Sequence, residues 1–172
     1  MYTDLYRINL QEKGSLSISA RPRGHEWLEN EISAWSKSGV THIVSLLEKK
    51  EALNLGLRDE AFFSEQAKLS FTNFCIPDMQ IPCNTNTFID LALNLSQEIQ
   101  SNEWIHIHCR AGIGRSGIMA STILYFLGYE PQEAINHISH SRNLEIPDTD
   151  EQKIFILEIP NLIQTSNRII SL

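Results

Sequence analysis

Ten consecutive residues, His108-Cys109-Arg110-Ala111-Gly112-Ile113-Gly114-Arg115-Ser116-Gly117, concentrate the chemistry of this chain. They lie between a short apolar run, Trp104 to His108, and the longer apolar stretch Ile118 to Leu127, so they read as the turn from a strand into a helix. Glycine permits positive φ, which lets the backbone N–H groups of Arg110, Ala111, Gly112, Ile113, Gly114 and Arg115 point into one concavity. The positive end of the following helix reinforces that cradle, which suits an oxyanion or a phosphate. Cys109 sits at its mouth and feels the same donors, so its thiol is expected to ionise below the free value of about 8.5, in the range of roughly 3.5–7.5. Arg115 supplies a planar fork that can hold two phosphoryl oxygens at once, and Ser116 lies close enough to donate a hydrogen bond to the sulfur. The plain alternative is a glycine-rich turn carrying a small buried thiol. It gives no reason for cysteine, glycines and arginine to share one loop.

The segment resembles the Cys-(x)5-Arg phosphate loop of the protein tyrosine phosphatase superfamily, in its His-Cys-x-x-Gly-x-x-Arg-Ser form. Chain length and element order resemble the small dual-specificity branch, particularly its cyclin-dependent-kinase-inhibitor-type and bacterial members. The resemblance implies that Cys109 is the nucleophile, Arg115 the phosphate clamp, Ser116 the hydroxyl that helps release the thiolate, and His108 the orienting residue behind the cysteine. A histidine satisfied within the core describes His108 equally well. Expulsion of an alkoxide or phenoxide needs a proton on the leaving oxygen, hence a carboxylic acid on a separate loop. Asp78, in Ile76-Pro77-Asp78-Met79-Gln80-Ile81-Pro82, follows an expected strand and lies upstream of Cys109 at about the separation seen in that branch. The tryptophan that precedes this dipeptide in the larger tyrosine-specific enzymes is replaced by Ile76, which favours the dual-specificity branch. Gln152 resembles the glutamine that orients the hydrolytic water, although Thr149 and Gln152 also form a Thr-x-x-Gln capping box.

Elements that alternate between strand and helix must position these groups. Residues 15–20 alternate apolar and polar and read as an exposed strand; residues 41–47, 71–76 and 104–108 read as further strands. Helices are expected over 25–38, 57–69 (with Phe62, Phe63 and Ala67 inward), 86–101, the stretch from 118, then 131–141 and 149–158. The fold class that follows is α/β: a single domain over residues 1–172 with a mostly parallel sheet of about four or five strands flanked by helices. The phosphate loop runs from strand to helix, at the carboxyl ends of the strands where such sheets bind ligands.

Composition agrees with that class. The chain has 172 residues, 42% apolar and 20% charged, enough to bury a core without disulfide or metal. Fourteen basic against 21 acidic residues give a net charge of −7, which argues against a non-specific nucleic-acid binder. No apolar run reaches the roughly eighteen residues a membrane span needs, and the first residues do not read as a signal peptide. Three sparse cysteines, Cys75, Cys83 and Cys109, lack zinc-type pairing; with His25, His137 and His140 scattered, no metal and no cofactor are expected, and a reducing cytoplasm is the default compartment. Under oxidation Cys75 or Cys83 could form a regulatory disulfide with Cys109. Arg110 and Arg142 could add positive potential at the loop, or be solvated surface arginines.

The first reading is a metal-independent phosphatase of protein phosphotyrosine, and of phosphoserine or phosphothreonine, with a phosphorylated protein as partner and no nucleic acid or membrane. The second keeps the mechanism and moves the substrate to a phosphoinositide or nucleotide; Ile113, where a basic residue would help an inositol polyphosphate, argues against the lipid. A non-catalytic phospho-binding module is the third. An arsenate reductase or sulfurtransferase is disfavoured by the order of acid before loop. Oligomeric state is not set by these features.

Overall fold

A computed structural model describes residues 2–170, with side chains described through residue 165. Five strands make one sheet: β1 (Tyr6–Ile8), β2 (Ser15–Ser19), β3 (His42–Ser45), β4 (Ser70–Asn73) and β5 (Trp104–His108). Their spatial order is β1-β2-β5-β3-β4; β1 is antiparallel to β2 and every other pair is parallel. Eight α-helices follow in chain order among the described residues: α1 (Leu28–Ser38), α2 (Lys49–Asn54), α3 (Glu60–Gln66), α4 (Thr85–Gln100), α5 (Gly114–Phe126), α6 (Pro131–Arg142), α7 (Asp150–Leu157) and α8 (Ile159–Ile170). None is long and apolar enough to cross a membrane. The chain is thus an α/β fold with a five-stranded, mostly parallel sheet between helices.

Strand alternation divides the core in two. Ile105 and Ile107 of β5 join Val44, Leu16 and Ile18 in a cluster with α4, α5, α6 and α7. On the opposite face Trp104 and Ile43 pack with Leu28, Ile32 and Trp35 of α1. The same alternation sends His106 and His108 toward Trp35, whose ring centroid lies 4.4 Å from that of His106. α5 is buried from Gly114 through Leu124, as expected of a helix apolar nearly all round.

Four expectations need correction. Residues 15–20 are not an exposed strand: β2 lies inside the sheet with Ser17 and Ser19 fully buried. Its polar alternation arises because the two serines clamp a histidine: Ser17 Oγ is 2.9 Å from His106 Nδ1 and Ser19 Oγ is 3.0 Å from His106 Nε2. The helix read over 57–69 is shorter, α3 alone, and Phe62 faces solvent while Phe63 packs inward. The strand read over 71–76 is β4 from Ser70 to Asn73; Ile76 leaves the sheet and is buried near the loop. Sequence periodicity also missed β1 and α2, each too short to show a period, and α8, whose Pro160 in the first turn resembles a break but suits a helix start.

Candidate active site

β5 is flanked by β2 and β3, with Ser19 and Ser45 both in register with His108, so the loop that leaves it emerges from the middle of the sheet at the carboxyl ends. Gly112 has φ +71°, and a Cβ there would lie 2.2 Å from the carbonyl carbon and oxygen of Ser19. Both the backbone twist and the close approach to β2 therefore require glycine. That turn carries the Gly112 N–H back onto the cysteine, where it donates to Cys109 Sγ at 3.2 Å. Cys109 is itself buried, on the face of the sheet shared with α4 and α5.

Arg115, in the first turn of α5, is almost wholly buried, and its guanidinium is held from several sides. Nη1 and Nη2 donate to Glu51 Oε2 and Oε1 at 2.8 and 3.0 Å, a bidentate grip from α2. Nη1 also donates to the Ile76 carbonyl at 3.1 Å, and Nη2 lies 2.8 Å from Asp78 Oδ1. Three of the five N–H donors are thus hydrogen-bonded and the outer side of Nη2 is paired with Asp78, which leaves Nε alone unengaged. Burial opposes charge on Arg115, yet the hydrogen bond to Glu51 and the nearby Cys109, Glu51 and Asp78 raise its pKa above the usual value. Burial likewise works against the Glu51 carboxylate, but Arg115 outweighs it and holds the carboxyl below its usual range.

Asp78 stands on the rim with half of its side chain exposed. It lines a cleft of about 500 Å³ beside the loop together with Glu51, Lys50 and Arg110. The structure thus brings Asp78, Arg115 and the loop together. Ser116 Oγ is buried and makes no hydrogen bond to another protein group, the sulfur included. Gln152 is fully buried in α7; its Nε2 donates to the Gln80 carbonyl on the Asp78 loop at 3.1 Å, and its N–H is capped by Thr149 Oγ1 at 3.2 Å. Only the Thr149 half of the expected capping box forms, since Gln152 Oε1 has no hydrogen-bond partner, and the side chain reaches instead to the Asp78 loop. Beside it, Asp148 Oδ2 accepts the Gly114 N–H at 2.9 Å. Arg110 is exposed, whereas Arg142 donates to the Ala111 carbonyl at 3.3 Å and stacks on Tyr6. Arg142 braces the outside of the loop.

Behind the cysteine, His108 Nε2 lies 2.7 Å from Glu60 Oε1 of α3, both groups buried. His106, stacked 6.5 Å from His108, has its pKa pushed well below the usual histidine value, first by burial and then by His108. All three cysteines carry free thiols; Cys75 and Cys83 are exposed, and Cys75 donates to Asn73 Oδ1.

Glu51, Glu60 and Asp148 were missed in the sequence. Glu51 is hidden in the charged run Glu48-Lys49-Lys50-Glu51, which reads as a solvated surface. Glu60 left one signal: a charge on what becomes the inward side of α3. Asp148 sits among the acidic residues of a helix start, where a carboxylate is ordinary.

The family model of the polymorphic toxin system DSP-PTPase phosphatases matches residues 19–129. A curated protein of Invertebrate iridescent virus 6, named "Putative tyrosine phosphatase 197R", is 32% identical over 95 residues, covering 53% of this chain and 34% of its own. The chain thus spans about a third of the length of that relative. Among solved structures, kinase associated phosphatase (KAP), with its catalytic-site cysteine replaced by serine, superposes with TM-score 0.86 at 16% identity, over 95% of this chain and 97% of that one. PTPMT1 in complex with PI(5)P matches with TM-score 0.75 at 18% identity, over 94% and 98% of the two chains.

Proposed function

This chain belongs to the polymorphic-toxin-system DSP-PTPase family, within the dual-specificity branch of the cysteine-based tyrosine phosphatases, and we propose that it hydrolyses protein phosphotyrosine, and phosphoserine or phosphothreonine, through a phosphocysteine on Cys109. The observation that carries this reading is Arg115, buried, charged and fixed by Glu51 in the loop that also directs an N–H at Cys109 Sγ.

A phosphate entering the loop would take the Nε–Nη2 edge of Arg115, whose Nη2 side Asp78 now occupies, so Asp78 must be displaced. Arg115 thus trades one anion for another, and Asp78 is released toward the leaving group. The Cys109 thiolate attacks phosphorus; the bond from phosphorus to the ester oxygen breaks, and protonated Asp78 gives that oxygen its proton. Water then attacks the phosphocysteine. Its proton passes to the Asp78 carboxylate, the P–S bond breaks, and Cys109 leaves as thiolate, with the buried, unpartnered Ser116 hydroxyl as the donor that would stabilise it. Gln152, anchored to the Asp78 loop, helps position that water.

Replacement Cys109→Ser is expected to remove turnover of an aryl phosphate while phosphopeptide binding remains. Substantial residual turnover in that variant would refute the covalent route. A panel of phosphotyrosyl, phosphothreonyl, phosphoinositide and nucleotide esters sets the substrate class; preference for either of the last two would replace the protein substrate with the second reading.

A further inference from the structure

We propose that the cavity between α2 and α3 is a second ligand site, built for a small amphipathic anion with an apolar body and a carboxylate or sulfonate head, and coupled to the catalytic loop through its two walls. The cavity holds about 460 Å³, within the range of small-molecule sites. Ala52, Leu53, Leu57 and Phe71 give it an apolar lining. Lys49 and Arg58, both exposed, also line it, and among the described residues neither side chain has an ion pair or hydrogen bond. Two uncommitted cations beside an apolar hollow, in a chain of net charge −7, point to an anionic headgroup over a hydrophobic tail. A neutral apolar ligand would leave both cations unused, and the rest of the lining, apart from Ser45, Asn73 and Glu60, is apolar and offers a polyanion little.

The walls give this site its reach. α2 is a partition: Lys49, Ala52 and Leu53 face the cavity, while Lys50, Glu51 and Asn54 face the cleft beside Asp78. Through Glu51 the partition grips Arg115 at 2.8 and 3.0 Å. The opposite wall, α3, contributes Glu60, whose Oε1 lies 2.7 Å from Nε2 of His108, one residue before Cys109. A ligand wedged between the helices therefore braces the supports of both Arg115 and His108, and α2, at six residues, is too short to be rigid alone. Occupancy is expected to raise kcat/KM. This coupling rests on the proposed catalytic roles; the binding does not.

The test uses anilinonaphthalene sulfonate as fluorescent probe and decanoate as competitor, on the full chain carrying Cys109→Ser, so that binding is read without turnover. Saturable binding displaced by decanoate is expected, with decanol at least about tenfold weaker. Lys49→Glu combined with Arg58→Glu should weaken the probe by about tenfold, and Ala61→Trp, at an exposed position on the rim, should block it. Circular dichroism establishes that each variant is folded. Equal affinity for decanol, or unchanged affinity in both variants, overturns the site. In the wild-type chain, saturating decanoate should raise kcat/KM for an aryl phosphate by about threefold or more, and should do nothing in Ala61→Trp. Binding without that change overturns the coupling alone, and an inactive wild type that still binds the probe overturns the catalytic reading while leaving the site standing.

Discussion

Arg115 has five N–H donors, and before any substrate arrives three are hydrogen-bonded and the outer side of Nη2 is paired with Asp78. In the proposed mechanism Glu51 aligns the fork, whereas Asp78 occupies the place a phosphate would need. Opposite effects are therefore expected from neutralising the two acids. Asp78→Asn should lower turnover by roughly 10²–10⁴-fold through loss of the proton donor. The same variant should bind vanadate several-fold more tightly, because a half-exposed ion pair that competes for Arg115 is worth only about 0.2–1 kcal/mol. Weaker vanadate binding in Asp78→Asn would show that the two anions do not compete. Glu51→Gln should cost about a hundredfold in kcat/KM by letting the fork drift, and raise the inhibition constant for vanadate. Because Arg115 keeps the Glu51 carboxyl below its usual range, acidification is expected to loosen this grip only below the ordinary carboxylate pKa of 4.5.

At the scale of elements, the strand-loop-helix unit from Trp104 to Phe126 could be read in advance because its instructions are consecutive: apolar run, glycine turn, apolar helix. Gly112 shows how tightly that turn is specified. Alanine there meets both a positive φ and the backbone of Ser19, which cannot give way like a side chain. Gly112→Ala is expected to lose about 2 kcal/mol or more, a fall in Tm of roughly 4–8 °C by scanning calorimetry, and to abolish turnover even where the chain still folds. An active Gly112→Ala protein with unchanged Tm would refute the required turn. α2 had no such signature. Its six residues bury nothing fully, so their pattern resembles any charged surface turn, and their role comes from meeting α5 across a long stretch of sequence.

Over the whole molecule, the buried His106 ties stability to pH. The folded chain keeps it neutral where the unfolded chain, with an ordinary pKa of 6.5, takes up a proton. The unfolded state then binds more protons, so stability is expected to fall as pH drops below about 6.5, by up to roughly 1.4 kcal/mol per pH unit from this group. Urea midpoints at successive pH values check this. His106→Gln, which can still bridge Ser17 and Ser19, should flatten the slope, and an unchanged slope would assign it to other groups. From the sequence alone came the α/β class and the loop with Cys109 and Arg115, since each depends on neighbours in the chain or on strand and helix periodicity, and the choice of Asp78 came from the family resemblance. Which carboxylates hold Arg115 and His108, why β2 is buried, and the existence of a cavity between α2 and α3 were decided only by the tertiary structure. Those features are contacts between segments far apart in the chain, and a lone charged residue carries no local mark of the partner it will meet.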